Sequence, residues 1–254
     1  MVKNRNFTVA ILQARMSSSR FPGKVMLHIN GQPMIHWQIE RIRQATSIDQ
    51  IIVATSTDSS DDPLAEFLRL KEVDVFRGSL NDVLSRFMSI QNDLGFTEMI
   101  RLTGDCPLVM PELIDRMVTR FRKGDLDYLS NTINPTYPDG LDVEIVKSTA
   151  MRKLRDFELS EEEREHVTLG IYRRPHLFTL ENFQGNEDLS GIRWTVDYPE
   201  DLDFVKLVFT EFEGRELYFT FEDTLLFLAN NPHVKSAISG NRRNEKLSSF
   251  KIGK

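Results

Sequence analysis

Cysteine is almost absent from this chain. Among 254 residues there is one, Cys106, which excludes an internal disulfide and a cysteine-built zinc cluster and makes a reducing cytoplasm the expected compartment. No apolar run approaches the ~20 residues that a bilayer span needs, and no charged-then-apolar leader opens the chain. Excess positive charge is missing too. The 32 Lys and Arg stand against 38 Asp and Glu, a net charge of −6, whereas a general nucleic-acid binder carries a basic footprint. Neither a membrane nor a nucleic acid is therefore expected as a partner. What remains is an acidic globular protein, long enough for one large α/β domain or at most two small ones.

Strand-like and helix-like stretches alternate, the pattern of a parallel sheet covered by helices. Phe7 to Leu12 is an apolar run that reads as a buried strand. Pro33 to Thr46 reads as a helix, with Pro33 in its first turn and Met34, Ile35, Ile39 and Ile42 on one face. Further strands are expected at 50–56, 73–76 and 99–102. Helices are expected at 82–94 and 111–123, and from Asp61-Asp62-Pro63, whose carboxylates suit a helix N-terminus. From Asp125 to Val146 the chain is extended and punctuated by Pro and Gly. Helices resume through about Arg173, Leu177 to Phe183 and Ile192 to Val196 return to the sheet, and helices at 199–212 and 221–230 close the fold. The prediction is one domain over 1–238 and a polar tail over 239–254.

The densest chemistry lies directly after the first strand. Gln13-Ala14-Arg15-Met16-Ser17-Ser18-Ser19-Arg20-Phe21-Pro22-Gly23-Lys24 packs three cations and three hydroxyls into one loop. Open α/β sheets bind ligands at the C-terminal ends of their strands, so this loop is in the right place to receive one. Arg15 and Arg20 can fork onto phosphate oxygens, Lys24 adds a compact point charge, and Pro22-Gly23 lets the backbone bend close to a ligand. The bland alternative is a solvated basic loop. Elsewhere the same edge gathers acids. Asp105 follows an apolar run on a turn permitted by Gly104, and Asp197 follows another before Pro199 opens a helix. On residues alone, Asp105 reads equally as a partial Mg²⁺ ligand and as a cap on the turn before Pro107. Cys106 reads as a small packed residue, since no base has an identifiable place beside it.

These motifs carry a resemblance. Ala14-Arg15, Ser18, Arg20 and Pro22-Gly23-Lys24 resemble the signature loop of the CMP-sugar synthetases, the cytidylyltransferases that activate 3-deoxy-octulosonate and acylneuraminate. Gln13 stands where the octulosonate enzymes usually carry Pro, and points to the spore-coat-polysaccharide-type branch. Arg101-Leu102-Thr103-Gly104-Asp105, Asp197-Tyr198-Pro199-Glu200-Asp201-Leu202, Gly78-Ser79-Leu80-Asn81-Asp82-Val83-Leu84-Ser85-Arg86 and Arg164-Glu165-His166-Val167-Thr168 extend it, in order, from about Val9 to Val205.

The resemblance implies a Rossmann-like nucleotide-diphospho-sugar transferase fold, a mostly parallel helix-flanked sheet with an inserted extended flap. It implies CTP plus an acidic sugar-like acceptor giving a CMP-linked product and pyrophosphate, for surface polysaccharide or glycoconjugate synthesis. It further implies Mg²⁺ held by Asp105 and Asp197, and a homodimer. Arg15, Lys24 and Asp105 become the catalytic residues. Leu12, Gln13 and Ala14 would face the base through their backbone, with Ser18, Arg20, Asp82, Arg86 and Thr103 completing the nucleotide site. Read alone, Asp82 complements a helix dipole beneath a cap from Asn81 or Ser79. The segment Tyr137 to Glu144 is expected to alternate, with Asp142 and Glu144 on one face, either solvated or as acceptor contacts. His166 reads both as an acceptor contact and as an ordinary helix-surface or core histidine. Two other classes fit less of the chain. A glycosyltransferase of the related fold would show Asp-x-Asp, and Gly104-Asp105-Cys106 lacks the second acid. An inactive scaffold would not be expected to keep Arg15, Arg20, Lys24, Asp105 and Asp197 together.

Overall fold

The computed structural model describes residues 6–238; the tail expected over 239–254 lies outside the described residues. In chain order it forms β1 (Thr8–Gln13), a two-residue hairpin β2 (His28–Ile29) and β3 (Gln32–Pro33), and α1 (Met34–Ile42). Then come β4 (Gln50–Ser56), α2 (Asp62–Leu70), β5 (Asp74–Gly78), α3 (Val83–Leu94), β6 (Glu98–Thr103) and α4 (Pro111–Gly124). The second half adds β7 (Tyr128–Ser130), β8 (Glu144–Lys147), α5 (Ser148–Lys153), α6 (Glu161–Glu165), α7 (Leu169–Tyr172) and β9 (Leu180–Asn182). It closes with α8 (Pro199–Glu211), α9 (Phe221–Asn230) and α10 (Pro232–Ala237).

Seven strands make one sheet in the order β5-β4-β1-β6-β8-β7-β9, and only β8 runs against the others. A parallel strand needs cover on both faces, which is why the strands read as continuous apolar runs. In β1 the period of two divides that run: Ala10 and Leu12 pack with α1, α4 and α8, while Val9 and Ile11 pack with α3 and α5. All four are fully buried. The C-terminal ends of β1, β4 and β6 consequently open at one edge, with Gln13 paired to Ala54 and Thr103.

Two expectations fail here. Ile192 to Val196 does not join the sheet and makes a single isolated bridge, Arg193 to Asp139. Its amides are used across the ligand edge instead: Trp194 N–H donates to Asp139 O at 2.6 Å and Val196 N–H to Asp105 O at 2.8 Å. The segment is a strap that ties the Asp105 turn to the 139 loop. Likewise, the alternating strand expected through Tyr137 to Glu144 begins only at Glu144. The Asn131 side chain accepts from the Val143 N–H at 2.9 Å and donates to Leu141 O at 2.7 Å, satisfying that backbone outside any ladder.

Candidate active site

The cationic loop is tied to the sheet at its start. Ala14 N–H donates to Ala54 O at 3.3 Å, and the next amide but one, Met16 N–H, donates to Asp61 Oδ1 at 2.6 Å. Met16 O then accepts from Ser18 N–H at 3.0 Å and from Gly23 N–H at 2.8 Å, so the loop closes back on Met16. Gly23 takes φ +74°, a conformation costly for any side chain, and hands the chain to a 3-10 turn at Lys24–Met26. Ser18 Oγ accepts from Phe21 N–H at 3.3 Å inside the loop.

That turn delivers Lys24 inward. Its ammonium donates to Asp105 Oδ2 at 3.1 Å, to Asp197 Oδ1 at 3.0 Å and to Val196 O at 2.6 Å. Burial opposes the charge on Lys24, but the two carboxylates prevail and hold its pKa above the ordinary value. Burial likewise opposes ionisation of Asp105; the Lys24 charge and bonds from Thr103, Lys24 and Cys106 override it and hold the carboxyl at about 2. Asp197 has two further cations, Arg20 at 2.6 Å and Arg193 at 2.7 Å. Arg193 in turn reaches Asp201 at 3.0 Å and Asp139 at 3.2 Å. Asp201 accepts from the N–H groups of Asp197 and Tyr198 at the start of α8, the helix-opening role its sequence position suggested. Asp105 leaves 28% of its side chain exposed against 11% for Asp197, so it is the more open of the two. Burial and the charges of Asp105 and Asp142 push the Cys106 thiol well above its ordinary pKa, in keeping with a packed residue and not a nucleophile. The same coupling sets half-buried Asp142 near the Asp105 turn.

Leu12 and Ala14 are buried and Gln13 is half-buried, and Gln13 O accepts from Gly104 N–H at 2.8 Å. A Cβ on Gly104 would lie 2.8 Å from Ala14 Cβ and 3.2 Å from Gln13 O, so the arginine loop and the Asp105 turn touch only because position 104 is bare. Thr103 O accepts from Gln38 Nε2 at 2.8 Å.

Arg86 projects from α3 beneath the loop, is 1% exposed, and donates to Ala54 O at 3.3 Å. Its Nε has no hydrogen-bond partner. Burial and the neighbouring Arg15 charge lower its pKa to about 10. The Arg15 charge is thus felt at Arg86, and among the described residues Arg15 makes no hydrogen bond or ion pair. Asp82 corrects an expectation: it is itself the N-cap of α3, accepting from Ser85 N–H at 3.0 Å, while Ser79 Oγ accepts from the Asp82 N–H. Its other oxygen pairs with Arg164 at 2.8 Å.

Glu144 departs most from expectation. It is buried, its Oε1 is held by Arg101, and its Oε2 accepts from Tyr128 OH at 2.6 Å and from Thr168 Oγ1. Arg101 also donates to Gln13 Oε1 at 3.3 Å. A solvated strand face is therefore excluded; the carboxylate is the centre of a closed network. His166 stands half-buried beside it, its pKa pushed below the usual value by burial and by the Arg101 charge. The next residue, Val167, takes φ +47°, an outlier for a β-branched side chain.

Arg101, Arg193 and Asp61 were not singled out from the sequence. Asp61 read only as a helix start, and its position just past the end of β4 was the available signal.

This geometry agrees with comparisons to known proteins. The cytidylyltransferase family model matches residues 9–228. The chain is 33% identical over 237 residues to an uncharacterized protein of Methanocaldococcus jannaschii, covering 92% of this chain and 96% of that one. It is 31% identical over 236 residues to the spore coat polysaccharide biosynthesis protein SpsF of Bacillus subtilis, covering 89% and 96%. The solved structure of a cytidylyltransferase from Leptospira borgpetersenii serovar Hardjo-bovis superposes with a TM-score of 0.86 at 29% identity, over 94% of this chain and 99% of that one. The mostly parallel seven-stranded sheet, the arginine loop and the converging aspartates are thus those of a chain that belongs to the cytidylyltransferase family.

Proposed function

We propose that this protein transfers CMP from CTP to an acidic sugar or a related acceptor, with Mg²⁺, and releases pyrophosphate for surface polysaccharide synthesis. The observation that carries the reading is the convergence of Asp105 and Asp197 on one buried cation, the Lys24 ammonium, at the strand edge under the arginine loop. Two carboxylates aimed at one positive charge fit Mg²⁺, which takes one or two carboxylates and completes its shell with phosphate oxygens and water. Among the described residues no group of three or more His, Cys, Asp or Glu is arranged to hold a metal ion, so the donor set suits a metal shared with substrate better than an all-protein cage.

In this reading an acceptor oxygen bonds to the α-phosphorus in line, the bond from that phosphorus to the bridging oxygen of the β-phosphate breaks, pyrophosphate leaves with that oxygen, and the acceptor proton passes to solvent water. Asp105 and Asp197 would hold Mg²⁺, which would supply charge neutralisation at the phosphate oxygens. The side chains do the positioning. Arg15, without a hydrogen bond or ion pair among the described residues, and Arg86, whose Nε has no partner, offer free donors for phosphate oxygens. Arg20 and Lys24 hold the side of the departing pyrophosphate. His166, neutral at pH 7 because its pKa is lowered, can accept a hydrogen bond from an acceptor hydroxyl, and half-buried Asp142 is offered as a second polar contact. Glu144 serves by holding Arg101 and Thr168. The reading includes a homodimer and a cytoplasmic location; among the described residues no helix is long and apolar enough to cross a membrane.

Pyrophosphate release is the test. The four nucleoside triphosphates are screened against 2-keto-3-deoxy acids, sugar phosphates and phosphonates, with Mg²⁺ and with EDTA, and the oligomer is sized by sedimentation. CTP turnover that needs Mg²⁺ and a carboxylated or otherwise anionic acceptor is expected. A preference for UTP, or turnover that survives EDTA, overturns the reading.

A further inference from the structure

The neck of the arginine loop rests on one side chain. Asp61 lies in the turn between β4 and α2 and is fully buried, yet it does not cap that helix. Its two oxygens point in different directions. Oδ2 accepts from Ser56 N–H at 3.0 Å and Ser56 Oγ at 2.5 Å, at the end of β4. Oδ1 accepts from Met16 N–H at 2.6 Å, across forty-five residues of sequence.

Met16 is also where the loop closes, since its carbonyl takes the Gly23 N–H. Arg15 precedes this pinch and Lys24 follows it. One carboxylate therefore fixes the peptide that sets both cations. Asp61 also supports the charge of Arg86, against the opposing effect of Arg15. We propose that Asp61 is a positioning residue for nucleotide binding: it pins the Met16 peptide so that Arg15, Arg86 and Lys24 are already arranged before the triphosphate arrives. Without the pin, the loop must be ordered by the ligand, and binding weakens by that cost. This inference rests on the phosphate role of the loop given above.

The geometry selects the test variant. Both groups that face Asp61 through the backbone are N–H donors, so Asn at 61 can satisfy one and must turn its own NH₂ toward the other. Asp61→Asn is expected to raise the KM for CTP at least tenfold, with a smaller change in kcat. Combined with Arg15→Ala, it should add little to the loss caused by Arg15→Ala alone, because the two act through one loop. Ser56→Ala is the control. It removes the hydroxyl bond to Oδ2 and the bond that Ser56 Oγ accepts from Asp58 N–H but leaves Met16 pinned, and should lower Tm while leaving the KM for CTP within twofold.

Two further measurements keep the idea testable if Asp61→Asn folds poorly or if CTP is not the substrate. Hydrogen exchange on the unaltered protein should find the Met16 and Gly23 amides protected together and the Ser17 amide open. Inorganic tripolyphosphate should bind the unaltered protein at least tenfold more tightly than Asp61→Asn. Unchanged tripolyphosphate and CTP affinity in a folded Asp61→Asn, losses that multiply in the double variant, or a Met16 amide that exchanges as fast as Ser17 would overturn the proposal. Absence of turnover with every nucleotide, alongside the tripolyphosphate difference, would instead reject the assigned reaction and leave the positioning role standing.

Discussion

Two buried ionic networks meet at the same edge of the sheet, and they are built on opposite principles. Around Glu144 one carboxylate is saturated by Arg101, Tyr128 and Thr168, all from packed elements. Around Asp197 one carboxylate is shared by Lys24, Arg20 and Arg193, and Lys24 is shared again with Asp105. The first network engages both oxygens of Glu144 with side chains of the packed core, and only Arg101 Nε is left without a partner among the described residues. The second holds more cationic reach than one carboxylate needs, on side chains that leave from loops. A saturated network fixes geometry, while one with exchangeable partners can admit a ligand at modest cost, because a new charge only replaces an old one. Burial alone does not separate structure from function here; the freedom to change partners does.

The largest expected effect breaks the first network. Glu144→Gln leaves Arg101 buried without its counter-charge, and should cost about 3–5 kcal/mol of folding stability. Chemical denaturation should show that loss, while kcat of the remaining folded protein falls far less. Collapse of kcat at unchanged stability would move Glu144 into the catalytic group and dissolve the distinction.

Next is Asp105→Asn in the second network. Turnover should fall by about 10²–10³, with a smaller loss of stability than at Asp197 because Asp105 is partly open and Lys24 keeps Asp197 and Val196 O. Asp197→Asn should lose comparable turnover and also stability, since Arg193 and Arg20 lose a partner. The pair should be far from additive. Lys24→Ala follows, at about 10² in kcat with weakened CTP binding, and Lys24→Arg should not rescue it, as a planar fork does not fit the position of a compact ammonium between two carboxylates. Initial-rate kinetics measure each of these, and wild-type rates in Lys24→Ala would reject the role of the loop.

Smaller is the ligand effect. CTP at a hundredfold excess over its Kd should stabilise the fold by about 2.7 kcal/mol, and UTP, ATP and GTP by much less. Equal protection in a thermal-shift assay would leave an anion site without base preference. The smallest effect concerns pH. Asp105 titrates at about 2 in the fold, below its ordinary 3.8, so the folded state favours its ionised form. That contribution is complete above about pH 4 and is lost as pH falls from there through about 2, on the order of 2 kcal/mol. Asp105→Asn should flatten the acid limb of a stability–pH curve; an unchanged limb would place the titrating pair elsewhere.

The contrast between the networks also explains what could be read from the sequence. Strand and helix order was legible because the fold buries whole apolar faces, as with Val9 to Leu12 or Leu113, Met117, Val118 and Phe121 on α4. The cationic loop and both aspartates were legible because their residue types are costly to place together without a use. What escaped notice depends on distant pairing. Glu144 looked solvent-facing until Arg101 was known to stand opposite it on β6. Asp61 looked like a helix start, and nothing local says that it holds Met16. The strap at Ile192 to Val196 has strand-like composition, yet its amides are claimed by Asp139 and Asp105 across the edge, which no local pattern encodes.

The reversed direction of β8 has a consequence for how such a protein can diversify. Because Ser130 ends β7 opposite the residue where β8 begins, Glu144, residues 131–143 leave and re-enter the sheet at the same rim. Changes in the length of that excursion need not shift the register of any strand. Away from Asp139, which Arg193 and the Trp194 amide hold, the chain can accept insertions and deletions for a new acceptor without moving the strands that carry the nucleotide machinery.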